Sequence, residues 1–256
     1  MNLLQALILS VVEGFTEFLP VSSTGHLLLA GKLLHIDPSA VVKSFYISIQ
    51  CAAIASVGVL YWRKFFEWNT LTRLIVAFIP TAIVGVTLYP FIKEVLLESV
   101  AVVAWALIAG GVVMIVFEKY QKPLMITDGV SASNISYPQA FGIGLMQSLA
   151  VIPGVSRAGA TIIGGMAVGV DRKRIVEFSF LLAVPTMIAA TALDAIKTIQ
   201  TFQFADLPVF LIGFTGAFLT ALASITWLLA YIRTHSFSAF GYYRIVIGVL
   251  FLLFVL

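Results

Sequence analysis

The chain of 256 residues is 61% hydrophobic and 11% charged, with a formal net charge of +3 and a single cysteine, Cys51. Because soluble domains are about a quarter charged, this composition excludes a soluble globular domain and a disordered chain, and the lone cysteine excludes a disulfide scaffold. The composition predicts a polytopic membrane protein, whose modest positive charge suits anionic lipid headgroups and gives no reason to expect nucleic acid as a partner.

Residues 1–10 lack the basic segment of a signal peptide, so we interpret them as part of the folded protein.

Two apolar regions are interrupted by turns. Residues 2–36 read as a helix ending at Pro20, a turn rich in serine and threonine, and a returning helix, and residues 138–170 repeat this plan around Pro153. Each half is shorter than the roughly 20 residues that cross a bilayer. We predict two re-entrant hairpins, since irregular backbone at membrane depth persists only inside protein or along a cavity.

Six further stretches are apolar for long enough to span a membrane. They are residues 41–62, 72–90, 99–118, 174–194, 207–231 and 239–256. We predict an all-α protein with one integral membrane domain over residues 1–256. Its first repeat, about 1–120, and its second, about 138–256, each hold a hairpin and three spans. Because three is odd, the second repeat must be inverted relative to the first. A constant offset that aligns Pro20 with Pro153 and Ser23 with Ser156 supports the repeat.

The basic residues of the loops are divided unevenly between the two sides of this arrangement. One side carries Arg63, Lys64, Arg73, Lys119, Lys122, Arg172, Lys173, Arg174 and Arg233, and the other carries Lys32, Lys43, Lys93 and Lys197. Cytoplasmic loops are enriched in lysine and arginine. We therefore expect the first side, with the loop over 118–137, to be cytoplasmic. Both termini and the mouth of the first hairpin are then outside.

Two acidic residues lie in the first hairpin, although an ionisable side chain at bilayer depth costs about 2.5–3.5 kcal/mol. Glu13 and Glu17 are four residues apart and share one face of a helix. Their carboxylates repel unless a cation, an arginine or a shared proton lies between them. Divalent cations such as Mg²⁺ or Ca²⁺ prefer such oxygen ligands, so Glu13 and Glu17 are candidate metal ligands.

Hydroxyl residues begin the returning helix of the first hairpin. Ser22, Ser23, Thr24 and Gly25 follow its proline, where free backbone N–H groups favour phosphate binding. His26 lies within one turn of Ser23, close enough to exchange a proton with a serine hydroxyl. The segment therefore predicts a phosphate site with a candidate nucleophile and base.

The second hairpin places a basic residue at the corresponding point. Arg157 begins its returning helix, with Ser156 beside it and Thr161 one turn later. A guanidinium group suits phosphate oxygens. Arg244 and Asp194 lie in or near spans, and each is either a partner for the opposite charge or an interface anchor.

From these residues, the polar centre favours a phosphate or diphosphate ligand, and two classes of function stay open. One is an enzyme that cleaves a phosphoanhydride in a lipid. The other is a transporter or flippase that binds an anion or a phosphate-bearing lipid between half-helices. The pair of Ser23 and His26 favours the enzyme, because transport needs no nucleophile.

The run from Val12 to His26 resembles the first signature of the undecaprenyl-diphosphate phosphatase family, the bacitracin-resistance proteins, and the run from Pro153 to Thr161 resembles its second, PGxSRSxxT. Ala158 replaces a serine of that pattern, so this hydroxyl is not essential here. The resemblance implies hydrolysis of undecaprenyl diphosphate, and of shorter isoprenyl diphosphates, to recycle the lipid carrier of peptidoglycan synthesis. It also implies a divalent cation and a site on the periplasmic side of the bacterial inner membrane. A homodimer is a further prediction.

Our hypothesis assigns a role to each site residue. Arg157 and the helix-start amides hold phosphate, with Ser22, Thr24, Gly25, Ser156 and Thr161 as further substrate-binding residues. Glu13 and Glu17 hold the metal, Glu17 also acting in catalysis. Ser23 is the nucleophile and His26 accepts its proton, but His26 itself or a metal-bound water remains an alternative nucleophile.

Overall fold

The computed structural model describes residues 1–37, 39–88, 91, 96, 99–121, 135–198 and 206–254, with the backbone alone at 193–198. These described residues form ten α-helices with short 3₁₀ turns at 62–66 and 149–151. The helices are α1 (Leu3–Phe18), α2 (Ser23–Leu33), α3 (Ala40–Tyr61), α4 (Trp68–Thr87), α5 (Val100–Tyr120), α6 (Tyr137–Ser148), α7 (Arg157–Ala167), α8 (Arg172–Thr198), α9 (Leu207–Tyr231) and α10 (Ser238–Phe254).

Five helices in the described part of the chain are long and apolar enough to cross a membrane. They are α3 with the turn that follows it, α4, α5, α8 as far as Ala192, and α9. This confirms the all-helical, polytopic class. The sixth predicted span, 239–256, corresponds to α10, which is apolar but only 17 residues long.

Two predicted boundaries were wrong. Helix α4 begins at Trp68 rather than at residue 72, with Glu67 as its N-cap, whose carbonyl accepts from the Thr70 and Leu71 amides at 2.9 and 3.0 Å. The first helix of the second hairpin ends at Ser148, well before Pro153, and a 3₁₀ turn follows it. Most of the predicted cytoplasmic loop, residues 122–134, lies outside the described residues.

The first helix of each hairpin begins with the same capping motif. Asn2 and Gln5 form a capping box at the start of α1, and Ser136 and Gln139 form one at the start of α6. Each glutamine also reaches the end of its own hairpin. The Gln5 Nε2 donates to the Leu34 carbonyl, and the Gln139 Nε2 donates to the Val168 carbonyl, each at 3.1 Å. Each hairpin is thereby closed into a compact unit.

The register that relates the two hairpins aligns Ser22 with Ser156, so the predicted offset, which aligned Ser23 with Ser156, was wrong by a single position. Ser22 and Ser156 both precede a returning helix with positive φ, at 73° and 50°. His35 and Gly169 both follow such a helix with positive φ, at 53° and 85°. The predicted offset matched the prolines, but the structure matches the turns, and Pro20 corresponds to Gly154.

The main helix–helix contacts join a helix of the first repeat to a helix of the second. Helix α1 packs chiefly on α9, whereas α6 packs chiefly on α4, and α5 packs on α10. The Thr220 hydroxyl of α9 contacts the Ser10 carbonyl at 3.4 Å, and the Thr81 hydroxyl of α4 contacts the Gly144 carbonyl at 3.2 Å. Ser10 and Gly144 correspond in the register of the two turns, so the two helix pairs meet through equivalent contacts.

The outer surface is strongly apolar. Large side chains such as those of Phe66, Val86 and Phe254 are at least 70% exposed. A surface of this kind is unfavourable in water and favourable against lipid acyl chains. The fold therefore turns its polar residues inward, toward the hairpins.

Candidate functional site

A tight turn before α2 sets up the first half of the site. Ser22 has φ 73° and ψ 95°, a conformation that costs about 1–3 kcal/mol for a residue other than glycine. Its carbonyl accepts from the Nδ1 of His26 at 2.8 Å, which holds the turn in place. Ser23 is the first helical residue beyond it. The turn before α7 is similar, with the Ser156 hydroxyl oxygen accepting from the Gly159 amide at 3.1 Å.

The carboxylate of Glu17 joins the two hairpins. One oxygen accepts a hydrogen bond from the Ser23 hydroxyl at 2.6 Å, and the other pairs with Nη2 of Arg157 at 3.0 Å. The Glu17 and Arg157 side chains are only 6% and 11% exposed. The predicted phosphate-binding arginine, the candidate nucleophile and one candidate metal ligand are therefore in direct contact.

Arg157 has further contacts that fix its direction. Its Nη1 donates to the Ser179 carbonyl at 2.9 Å, and its guanidinium lies 5.7 Å from the centre of the Phe18 ring. Its Nε is buried and has no acceptor among the described residues. A buried donor without a partner is costly, and Arg157 also lines a cavity.

Glu13 lies one turn before Glu17 on the same side of α1. It is fully buried, and neither of its carboxylate oxygens has a hydrogen-bond donor among the described residues. Buried carboxylates are normally paired, hydrogen-bonded or bound to a metal. Two adjacent carboxylates, one of them with both oxygens unsatisfied, fit a hard divalent cation. No group of three or more His, Cys, Asp or Glu residues suited to a metal occurs in the described ranges.

His26 is not in contact with the Ser23 hydroxyl, contrary to our expectation. Its Nδ1 donates to the Ser22 carbonyl, and its Nε2 lies 2.8 Å from the hydroxyl of Tyr243, whose ring stacks on the imidazole. Because a carbonyl only accepts, Nδ1 carries a proton and donates it to the Ser22 carbonyl. His26 therefore fixes the turn before α2, and the group that accepts a hydrogen bond from the Ser23 hydroxyl is Glu17.

A cavity of about 590 Å³ contains much of the predicted site. Six of the ten predicted residues line it, namely Glu17, Ser22, Ser23, Thr24, Ser156 and Arg157. Glu13, Gly25, His26 and Thr161 do not line it. The Thr161 hydroxyl is buried against Ser179 at 2.6 Å, and Gly25 lies on α2 beside Val103 and Leu107 of α5. The structure thus brings the two hairpins together around one cavity and gives the remaining residues supporting positions.

A polar cluster that sequence analysis missed lies on the cavity wall. The Gln147 amide donates to the hydroxyls of Thr81 on α4 and Thr186 on α8, at 2.9 and 3.1 Å. In the register that aligns Ser22 with Ser156, Gln147 occupies the place of Glu13. The second half therefore carries an amide where the first carries a carboxylate, and this correspondence would have revealed the residue.

Arg244 is a second residue whose partners the sequence did not predict. Its side chain is 2% exposed, and it donates to the carbonyls of Pro20 at 3.2 Å and Gly154 at 2.9 Å, in the two equivalent turns. It also donates to two carbonyls of α5, those of Ala106 and Leu107. The predicted alternative partner, Asp194, lies outside the described side chains. Arg244 thus donates hydrogen bonds to backbone carbonyls in both hairpins.

The chain is similar to known proteins along nearly its whole length. The family described as "Bacitracin resistance protein BacA" matches residues 6–250. An undecaprenyl-diphosphatase of Sulfurihydrogenibium sp. (strain YO3AOP1) is 47% identical over 253 residues, covering 99% of both chains. Those of Aquifex aeolicus (strain VF5) and Bdellovibrio bacteriovorus are 46% and 44% identical, covering 98% and 99% of this chain and 98% and 96% of their own.

Replacement of Arg244 by methionine is expected to lower the apparent melting temperature of the detergent-solubilised protein. The change removes donors from the Pro20 and Gly154 carbonyls, and an unsatisfied buried group costs about 1–3 kcal/mol. Arg244→Lys should recover part of the loss. Arg233→Met, at an exposed position after α9, is the matched control and should change the melting temperature little. Equal melting of the two methionine variants would contradict the structural role of Arg244.

Proposed function

The chain belongs to the bacitracin resistance protein BacA family, and we propose that its cavity between the two hairpins is the active site of an undecaprenyl-diphosphatase. The protein is a multi-pass membrane hydrolase that converts undecaprenyl diphosphate into undecaprenyl phosphate and inorganic phosphate. This reaction supports cell-wall biogenesis and bacitracin resistance. The relatives favour hydrolysis over the transport alternative.

One observation carries the assignment of the site: Glu17 contacts the Ser23 hydroxyl and the Arg157 guanidinium at once, inside a cavity. A serine whose hydroxyl is hydrogen-bonded to a carboxylate is a nucleophile with a base beside it. A buried guanidinium with an unused donor is a site for the charge of a phosphate group. These are the parts that cleavage of a phosphoanhydride requires.

In the proposed reaction the diphosphate competes with Glu17 for Arg157. As phosphate oxygens take the guanidinium, the Glu17 oxygen that pairs with Arg157 is released, while the other keeps its hydrogen bond to the Ser23 hydroxyl. The Ser23 oxygen then attacks the terminal phosphorus, Glu17 receives the hydroxyl proton, and the bond to the leaving undecaprenyl phosphate breaks. Arg157 and the free amides at the start of α2 stabilise the charge on the transferred group and the leaving oxygen.

Water completes the cycle. After Glu17 has released the Ser23 proton to solvent, water attacks the phosphoserine and gives one proton to the Glu17 carboxylate. The bond between phosphorus and the Ser23 oxygen breaks, Glu17 passes that proton to the Ser23 oxygen, and inorganic phosphate leaves with the remaining proton of the water. His26 acts through the Ser22 carbonyl as a positioning residue that keeps Ser23 at the first position of α2. Tyr243 in turn fixes the imidazole.

Glu13 and Glu17 are the proposed ligands of a divalent cation, Mg²⁺ or Ca²⁺. The unsatisfied oxygens of Glu13 and its position beside Glu17 support this assignment. A cation there would neutralise negative charge on the diphosphate. In the part of the chain that the structure describes, no further His, Cys, Asp or Glu forms a group with these two, so the remaining ligands would be substrate and solvent oxygens.

The finer topology is also a proposal: a single domain of six spans and two re-entrant hairpins in inverted repeats. The exchange of packing partners between the halves and the constant register of the hairpins support it. The uneven loop charge supports a periplasmic opening with both termini outside. Shorter isoprenyl diphosphates are proposed as further substrates, and a homodimer stays a prediction.

Phosphate release from undecaprenyl diphosphate by the purified protein tests the active site. Ser23→Ala, Glu17→Gln and Arg157→Ala should each lower turnover by about a hundredfold or more, because each removes a group acting in the transition state. Ser44→Ala, Glu67→Gln and Arg63→Ala, at positions away from the cavity, are the controls. Wild-type turnover by Glu17→Gln would show that this carboxylate is not the base.

The identity of the nucleophile has a separate test. With radiolabelled substrate and rapid acid quenching, the wild-type protein should carry a phosphoryl group that peptide mapping places on Ser23. His26→Asn should still form this adduct, although more slowly. If Ser23→Ala retained most of the turnover, water would have to attack the diphosphate directly.

Cation binding is tested without turnover. Mg²⁺ or Ca²⁺ should raise the apparent melting temperature of the wild-type protein, because a ligand that binds the folded state stabilises it. The rise should vanish in Glu13→Gln and persist in Glu67→Gln, whose side chain is 42% exposed outside the site. An unchanged rise in Glu13→Gln would place the cation elsewhere.

A further inference from the structure

The amide of Gln147 is only half satisfied by the protein. Its Nε2 donates to the hydroxyls of Thr81 and Thr186 at 2.9 and 3.1 Å, and all three residues line the cavity that also contains Ser23 and Glu17. Gln147 is fully buried, and its Oε1 has no hydrogen-bond donor among the described residues. The side chain therefore brings one unsatisfied acceptor to the wall of the cavity.

The two threonines determine which way this amide points. The Thr81 hydroxyl donates its only proton to the Gly144 carbonyl at 3.2 Å, and the Thr186 hydroxyl donates its own to the Leu182 carbonyl at 2.7 Å. Each hydroxyl can then only accept from Gln147, so the amide cannot turn over and offer its oxygen to them. Four hydrogen bonds that connect α4, α6 and α8 thus set the position of Oε1.

The partner of this oxygen must be a hydrogen-bond donor or a cation. An ionised diphosphate carries acceptor oxygens, which an amide oxygen repels. A divalent cation prefers negatively charged oxygens, but at the position equivalent to Glu17 this wall carries Val151. The Ser23 hydroxyl already donates to Glu17 at 2.6 Å. Water is the donor that fits, because it is small and neutral and the reaction consumes it.

We propose that Oε1 of Gln147 binds the water that hydrolyses the phosphoserine. This inference rests on the proposed function and adds a residue to its second step. A water molecule that attacks phosphorus with its oxygen needs an acceptor for each of its two protons. The Glu17 carboxylate accepts one as the base, and Gln147 accepts a hydrogen bond from the other. A glutamine that orients the attacking water also occurs in other phosphoryl-transfer enzymes.

The proton balance suits an amide. As the water oxygen bonds to phosphorus, the bond from phosphorus to the Ser23 oxygen breaks, and the proton given to Glu17 passes to Ser23. The proton that faces Gln147 stays on the released phosphate, so the amide neither gains nor loses a proton. A carboxylate at this position would repel the phosphoryl group, whereas the neutral amide does not.

Replacement of Gln147 by methionine keeps the length of the side chain and removes the acceptor. With undecaprenyl diphosphate labelled in its terminal phosphate, rapid quenching should show that Ser23 is phosphorylated at about the wild-type rate. The attack by water should be slower by about tenfold or more, so the phosphoserine accumulates at steady state. The retained first step shows that the variant is folded. Gln121→Met, after the end of α5 and away from the cavity, is the matched control.

Methanol provides a readout that a loss of structure would not change. Its hydroxyl has a single proton, which Glu17 receives, so attack by methanol on the phosphoserine makes no use of Gln147. Methyl phosphate and inorganic phosphate are measured together in the presence of methanol. Gln147→Met should raise the ratio of methyl phosphate to inorganic phosphate by about tenfold, because only the attack by water is slowed.

The two threonines test the orientation of the amide. Thr81→Val combined with Thr186→Val removes both acceptors of Nε2 and should raise the same ratio by a smaller factor. Thr87→Val is the control, since this exposed hydroxyl bonds carbonyls of its own helix and does not line the cavity. An unchanged ratio in Gln147→Met or in the double variant would overturn the inference.

Two further outcomes separate this inference from the other proposals. If Gln147→Met abolished the rise in melting temperature with Mg²⁺ or Ca²⁺, Gln147 would be a cation ligand, and the assignment to water would be wrong. If the wild-type protein formed neither phosphoserine nor methyl phosphate, the proposed two-step reaction would fail, and the inference with it.

Discussion

The buried guanidinium of Arg244 joins the two points at which the chain interrupts its helices inside the protein. Backbone carbonyls at membrane depth have no water to bond with, so an irregular turn persists there only if the protein supplies donors. Arg244 supplies them to Pro20 and Gly154 together and ties both turns to α5. The half-helix starts that carry Ser23 and Arg157 are held next to each other by this contact, and the geometry of the site follows from it.

Most of the helices could be predicted from hydropathy and from the residues that interrupt it, because a bilayer requires long apolar helices and buried turns need proline, glycine or capping hydroxyls. The register that aligns the two hairpins could not be predicted in this way. The identity of Pro20 and Pro153 suggested an alignment that is out of step with the turns, whereas equivalent backbone positions are occupied by different residues, His35 and Gly169 among them. Side-chain identity is a poor guide when the repeated feature is a backbone conformation.

The site was predictable to the extent that charge inside a membrane is rare. Glu17 and Arg157 come together as the sequence suggested, because isolated charges at that depth are unfavourable. The partner of His26 was not predictable, since a spacing of three residues permits contact with Ser23 without requiring it, and Tyr243 comes from the far end of the chain. Gln147 was not predicted to line the site, because an amide carries no charge and the prediction depended on charged residues.

That amide has a consequence for how the protein treats the two leaflets. Gln147 is the neutral isostere of the glutamate found at the equivalent position, Glu13, and the position equivalent to Glu17 is held by Val151. Under the proposed inverted arrangement, the two hairpins enter from opposite leaflets and meet at one cavity, and at these two positions only the first hairpin bears carboxylates. The two repeats therefore share a backbone arrangement but differ in the charge that they bring to the cavity. If the first hairpin opens to the outside as proposed, the site would act on a carrier whose headgroup lies in the outer leaflet.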